Sequence, residues 1–403
     1  MLKLALRNLF RNRVRTLMTL ASIVFGVVGL ILSGGFVHDV YHQLAEALIH
    51  SQSGHAQVSR AGFHAKGTRN PEAYLIEDAE TLRSELQQQA GVSDVMGRVS
   101  FSGLLSNGRT DWPIVGEGVE PDREAALGSQ LQITMGRQLS EQDSKGILVG
   151  QGVASALQLR PGDQVTLLLT TTEGALNSLE LTVVGSFQSL SKDFDARAVR
   201  IPLAAAQELL GTHGVNTLVL ALDKTEHTVQ VVSTLRGRLD ASALEVLAWP
   251  ELNELYAGAV ALYERQFGVL QLIILVLVLL SVANSVNMSA FERVGEFGTM
   301  MALGNRGQTI FCLLVIENCL LGVAGATIGV TLGVVLSQTI SAIGIPMPPP
   351  PNANMGYTAH IRLVPSVVIS AFVIGSCATV LASLVPAWRV RKLAVVDALR
   401  HNH

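Results

Sequence analysis

One acid stands deep in a long apolar run, Glu317 within Thr309–Ile343. A carboxylate at that depth costs about 3 kcal/mol on insertion scales, so it must face protein and be paired or protonated. Asn284 and Asn287 lie at a similar depth from the same end of the preceding apolar run. A hydrogen bond from one of them to Glu317 is the predicted pairing, serving either as packing glue or as a moving part. Between the two runs lies a polar elbow, Glu292–Gly304 followed by Asn305-Arg-Gly-Gln308, with its charges at Glu292, Arg293, Glu296 and Arg306. No catalytic constellation accompanies these groups. There is no GxxxxGK[ST] phosphate loop; Gly298 to Gly304 has the wrong spacing and is followed by Asn305. The chain is therefore expected not to hydrolyse nucleotide. His38 and His42 are four apart, a metal-capable spacing, but no third ligand is near in sequence. A solvated helix face is the expectation there, and no metal is assigned. Cys312, Cys319 and Cys377 all fall in apolar runs, which excludes a disulfide framework from the large polar region.

The elements that position these groups are membrane spans. The chain has 403 residues, 49% hydrophobic and 15% charged, with a net charge of −3. That balance is too apolar for an ordinary soluble protein and offers no basic surface for nucleic acid. Runs of about 20 apolar residues match a hydrocarbon core of roughly 30 Å. The predicted organisation is a cytoplasmic amphipathic segment at 1–16, a first span with an extended stalk at 17–50, and a polar domain at 51–249. A second stalk and span follow at 250–291, the elbow at 292–308, a third span at 309–343, a Pro-rich outer loop at 344–363, a fourth span at 364–388 and a tail at 389–403. The fold class is thus a membrane protein of four transmembrane helices (one plus three) with a large α+β domain inserted between spans 1 and 2. A basic leader and an apolar run also describe a signal peptide, but helical periodicity continues through Val37, Val40, Tyr41, Leu44 and Leu48. The N-terminus, elbow and tail hold eleven Lys and Arg, against Arg362 alone in the loop 344–363. Both termini and the elbow are therefore expected in the cytoplasm, and the domain and Pro-rich loop outside.

Within 51–249, alternation predicts strands at 54–59, 112–117, 164–170, 179–184 and 216–221, and helices at 78–89, 152–159, 202–210 and 228–239. Arg160–Asp163 reads as a turn. Trp249-Pro250 is expected to start the second stalk, with Leu252, Leu255, Ala259, Leu262 and Tyr263 as its stripe. Pro348–Pro351 favours a stiff extended segment, a rigid turn or a docking lip. Gly325, Gly329 and Gly333 recur every four residues after Gly322. Such spacing lets helix backbones approach closely, within the bundle or across a dimer, and Ser22 and Gly26 do the same in the first span.

These motifs resemble a known family. Glu292-Arg-Val-Gly-Glu-Phe-Gly-Thr-Met-Met-Ala-Leu-Gly304, with Glu317 thirteen residues on, resembles the signature of FtsX-like, MacB-type permeases of ABC transporters. Leu6–Thr16, Pro386–Arg400, Gly146–Gly152 and Leu159–Asp163 are similar to other parts of that family. Met300-Met301 departs from it, standing where the family often has Leu-Arg. The resemblance implies that Glu292, Arg293, Glu296, Gly298, Ala302, Leu303 and Gly304 form a coupling helix seated in a separate ATPase, which binds ATP and Mg. It further implies an ATPase dimer beneath two permeases, a homodimer or a pair of paralogues, in the bacterial inner membrane. ATP-driven motion would then be transmitted to the outer domain. The pattern looks most like lipoprotein-releasing permeases of the LolC/LolE type. In that reading acyl chains sit near Val37, Val40, Tyr41, Leu44, Leu262 and Phe267, and a periplasmic carrier receives the lipoprotein. Alternatives are a MacB-like exporter working with an outer-membrane duct, an FtsX-like activator of a cell-wall hydrolase, and a sensor unrelated to ABC transport.

Overall fold

In lipid a backbone can hydrogen-bond only to itself, so long apolar runs are driven into helices. The structure, a computed structural model, describes residues 13–67, 70–127, 131–189, 191–349 and 356–391. Its helices of eight residues or more are α1 (Arg13–Leu48), α2 (Ala79–Gln87), α3 (Leu203–Leu210), α4 (Thr228–Arg238), α5 (Glu254–Glu292), α6 (Val294–Ala302), α7 (Gly307–Ile343) and α8 (Pro365–Arg391). Among them α1, α5, α7 and α8 are long and apolar enough to cross a membrane. Most of Leu6–Thr16, the end of the Pro386–Arg400 motif, and Pro350 and Pro351 lie outside the described residues.

Among the described residues the chain divides into two compact units, one of residues 13–41, 260–346 and 358–391, the other of 42–259 with 347–349 and 356–357. In the first unit, α1, α5, α7 and α8 share a core that includes Ile23, Val27, Ile31, Val282, Ala326 and Ala378. Three boundaries differ from expectation. The element at Trp249 is a separate turn of helix, Trp249–Leu252, because Asn253 leaves helical geometry (φ −121°, ψ 77°) and its side-chain Nδ2 donates to the Trp249 carbonyl at 2.7 Å. The elbow helix begins at Val294, since Arg293 breaks the chain with φ −103° and ψ 12°. The fourth helix carries Pro386 inside it and runs past the expected end at 388 to Arg391.

The second unit holds ten strands: β1 (Ala56–Arg60), β2 (Val92–Ser106), β3 (Asp111–Val119), β4 (Gln132–Gly136), β5 (Gly146–Gly150), β6 (Gln164–Thr170), β7 (Leu176–Gln188), β8 (Ala198–Pro202), β9 (Thr217–Leu222) and β10 (Leu244–Ala248). Their order is β10-β1-β9-β2-β3-β8-β5-β7-β4, and β6 pairs with both β2 and β7. The second pairing closes a ring, β2-β3-β8-β5-β7-β6. The first half of β2 pairs with β9 from Val92 to Arg98, in an antiparallel sheet with β1 and β10. Its second half pairs with β3 and, from Gly103 to Ser106, with β6. One strand thus belongs to both lobes, and the core runs through both.

Alternation explains which strands were legible. In β6, Val165, Leu167 and Leu169 are buried while Gln164, Leu168 and Thr170 are exposed. In β5 and β8 every residue is buried, so there is no alternation to read. Strands β2, β4 and β10 were likewise not predicted, and β7 is longer than expected.

A glycine makes room for one of the largest fully buried side chains in the ring. A Cβ on Gly116 would lie 2.0 Å from Cε2 of Phe101, which is buried. We predict that Gly116→Val destabilises the domain by about 1–3 kcal/mol through overpacking. The measurement is the urea midpoint of the full-length protein by intrinsic fluorescence; an unchanged midpoint would show that Phe101 can be displaced freely.

Candidate functional site

The elbow is built from a helix that stops, a short helix, and a helix that starts. After α5 ends at Glu292, α6 closes with Leu303 N–H donating to the Thr299 carbonyl at 3.1 Å and Gly304 N–H to Met301 at 3.0 Å. Gly304 has φ 93°, the left-handed geometry that favours glycine just past a helix. The amide of Asn305 then donates to the Met300 carbonyl at 3.1 Å, and α7 begins at Gly307. One side of α6 is buried through Val294, Phe297 and Gly298. Phe297 packs with Ala290, Ile310, Leu314, Ala387 and Val390, which fixes the elbow to α7 and α8; Met300 and Met301 lie against the same cluster. The other side presents Glu292, Glu296, Ala302, Leu303 and Gly304 to the surface, with Leu303 80% exposed.

Glu317 finds its partner at the elbow and not in the preceding span. Arg293 and Glu317 are each 6% exposed. The guanidinium donates through Nη1 to Glu317 Oε2 at 2.8 Å and through Nη2 to Oε1 at 3.4 Å. Its Nε donates to Glu296 at 3.1 Å, and its plane lies 5.1 Å from the Phe297 ring centroid. The expected donors, Asn284 and Asn287, are exposed and half-buried respectively. A forked arginine suits a desolvated carboxylate better than an amide, because it supplies compensating charge as well as hydrogen bonds. That Glu317 must be paired or protonated was readable; what hid Arg293 as the partner was the break that turns the chain back on itself.

The glycine ladder of α7 packs within the chain, on α1. A Cβ at Gly325 would meet Ile23, one at Gly329 would meet Val27 and Val24, and one at Gly333 would meet Ile31, all within 3.3 Å. Gly322 is pressed against Thr379 and Gly375 against Val27, which brings α8 into the same packing. Helix α1 also meets α5: Gly26 against Val278, Ser281 Oγ donating to Ser22 Oγ at 2.8 Å, and the hydroxyls of Thr19 and Ser285 bonded to each other. At the other end of this unit, the buried Asp39 carboxylate accepts from His360 N–H at 2.8 Å and the Gly35 carbonyl from Arg362 N–H at 3.2 Å. Sequence reasoning passed over Asp39; as an acid four residues past Gly35 in an apolar helix, it was the available signal.

The residues expected to line an acyl site are partly brought together. Tyr41 donates to the Val260 carbonyl at 3.3 Å and faces Tyr263 at 6.2 Å between ring centroids. Phe267 approaches Gly34. Val37, Val40 and Leu44 are half-buried, and Leu262 is exposed. A groove of about 590 Å³ opens between α1 and α5, lined by Ala21, Ser22, Phe25, Gly26, Gly29, Ile274, Leu277, Val278 and Ser281. None of the six expected residues lines it. His38 Nδ1 bonds to the Gly34 carbonyl at 2.9 Å, and His42 lies 3.8 Å from Glu46.

Sequence comparison agrees with this architecture. The profile of the MacB-like periplasmic core domain matches residues 16–238, and that of the FtsX-like permease C-terminal region matches residues 268–395. The chain belongs to the family that these two domains define, the ABC transporter permeases of the LolC/LolE and MacB type. It is 22% identical to an uncharacterized ABC transporter permease of Methanocaldococcus jannaschii, covering 98% of this chain and 96% of the relative. The lipoprotein-releasing system transmembrane protein LolC of Xylella fastidiosa is 23% identical, over 98% and 97%. The macrolide export ATP-binding/permease protein MacB of Chlorobium luteolum is 22% identical, over 99% of this chain and 59% of the relative.

Arg293→Met takes the forked guanidinium away from the buried Glu317 carboxylate. We predict a loss of about 3–5 kcal/mol from the single change, and recovery of most of it in Arg293→Met/Glu317→Met. The check is the thermal midpoint of purified full-length protein; a double variant no better than the single one would show that the pair does not act as a unit.

Proposed function

We propose that this chain is the transmembrane subunit through which a separate ABC ATPase moves an extracytoplasmic domain, and that its cargo is a lipoprotein released from the inner membrane. In this reading the elbow and both termini are cytoplasmic, and residues 51–249 lie outside. The observation that carries it is α6: a short helix seated on α7 and α8 through Phe297 and Arg293, with its opposite side presented at the surface. A docking helix must be rigidly attached to the spans it drives, and this one is attached by packing and by charge.

The substrate assignment is supported by the resemblance to LolC along nearly its whole length, and by the groove between α1 and α5, whose walls are mostly apolar as acyl chains require. Two copies of the permease, or this chain and a paralogue, would stand over two ATPase subunits that hold ATP and Mg, and a periplasmic carrier would accept the lipoprotein.

The experiment is purification of the intact complex from membranes, followed by identification of bound protein and lipid. An ATPase subunit together with an acylated protein is expected; a duct adaptor or a wall hydrolase in place of the acylated protein would replace the cargo assignment. We predict that Glu292→Arg/Glu296→Arg reduces recovery of the ATPase at least tenfold, a loss of about 1.4 kcal/mol or more in binding. Undiminished recovery would remove the elbow as the docking site.

A further inference from the structure

Helix α1 does not simply end; its last turn is gripped. The helix passes at Leu48 into a turn of π-helix, Ile49–Ser53, closed by Gly54 N–H donating to the Ile49 carbonyl at 3.0 Å. Carbonyls at a helix C-terminus have no donors within the helix and carry its negative partial charge. Here three consecutive carbonyls are taken up by side chains of the strands. Ser51 accepts from Arg200 Nη2 at 2.9 Å, Gln52 accepts from Arg98 Nη1, and Ser53 accepts from Gln57 Nε2 at 2.9 Å.

The two arginines are themselves held. Arg98 on β2 forks onto Glu124, which lies in the short helix Pro121–Leu127, through Nε and through Nη2 at 2.9 Å. Arg200 on β8 stands opposite Glu117 of β3 in the parallel register and bonds it at 3.1–3.2 Å. Arg98, Arg200 and Glu124 are 2–3% exposed. Burial opposes charge on Arg98 and Glu124, but their mutual attraction outweighs it, holding the guanidinium above and the carboxyl below their ordinary pKa values. Two cations and two anions balance, so the cluster would persist without the helix end. Buried charges of this kind are a weak route to stability, since apolar residues of similar volume often do as well. What apolar residues cannot do is donate hydrogen bonds to main-chain carbonyls.

We propose that this carbonyl–guanidinium joint is the rigid coupling through which displacement of α1 enters the ring of strands. Arg98 and Arg200 are its positioning residues. The inference rests on the transmission mechanism above, and it names where along the chain the motion is handed over. A free helix end would swivel; one fixed at three successive carbonyls, by donors from three different strands, moves the sheet when it moves.

The test uses the full-length chain in lipid nanodiscs with its ATPase. The variant Arg98→Met/Glu124→Leu removes one cation and one anion, leaving Arg200 paired with Glu117. Hydrogen exchange of peptides spanning residues 49–56 should accelerate roughly tenfold or more, while exchange in β2 and β9 stays unchanged. ATP hydrolysis should remain within about twofold of the parent while ATP-dependent release of cargo falls at least tenfold. Unchanged exchange at 49–56, or equal acceleration in every strand, would overturn the joint. A locally loosened turn with full output would overturn its role in coupling. Failure of the transmission mechanism itself would show separately, as absence of ATP-dependent output in the unmodified chain.

Discussion

A carboxylate cannot remain charged and alone at membrane depth, and the pairing of Glu317 with Arg293 organises the elbow around that constraint. The ion pair needs its two partners from either side of a chain reversal. It is satisfied only if α5 stops at Glu292, Arg293 leaves helical geometry, and α6 folds back toward α7. Phe297 fills the space beside the guanidinium, and Glu296 uses the remaining Nε. Break, turn, aromatic and acid are therefore one arrangement. In a low-dielectric setting such a pair is intolerant of partial separation, so the elbow and the third helix are expected to move as one body.

The bundle next to it follows a different rule. Lipid tails give apolar helices no reason to seek each other, so contact comes from close approach. Small residues on α7 admit Ile23, Val27 and Ile31 of α1, and Gly375 of α8 admits Val27 from another side. Hydroxyl pairs, Ser22 with Ser281 and Thr19 with Ser285, tie α1 to α5. Of the four long helices, α5 is the least buried, and its outward face is rich in Leu, Ile and Val.

Much of this was legible before the structure. Four apolar runs became four helices, and the five expected strands and four expected helices of the domain all formed. Periodicity reports burial on one face, and that is where it succeeded, as at β6. It failed where burial is two-sided, as at β5 and β8, and where charge interrupts a strand, as at Arg98 in β2. For the elbow, the segment was readable from its polarity and family resemblance, but the partner of Glu317 was not. Asn284 and Asn287 are close in linear depth, whereas Arg293 becomes close only because the chain turns. The glycine ladder left two partners open, since spacing reveals that something approaches and not what; the structure answers with Ile23, Val27 and Ile31. A long-range hydrogen bond such as His360 to Asp39 shows in sequence only as an acid in an apolar helix, with nothing local to name its partner.

The fifteen residues of β2 serve two sheets at once. Lobes joined by a linker can be exchanged, duplicated or lost independently; lobes that share a strand cannot. Deleting the ring would strip β9 of one of its two neighbours, and deleting the antiparallel sheet would leave half of β2 unpaired. Descent with change in this domain is therefore confined to hairpins and to the outer strands β4 and β10, and new binding specificities are expected to arise as insertions there, not as replacement of either half.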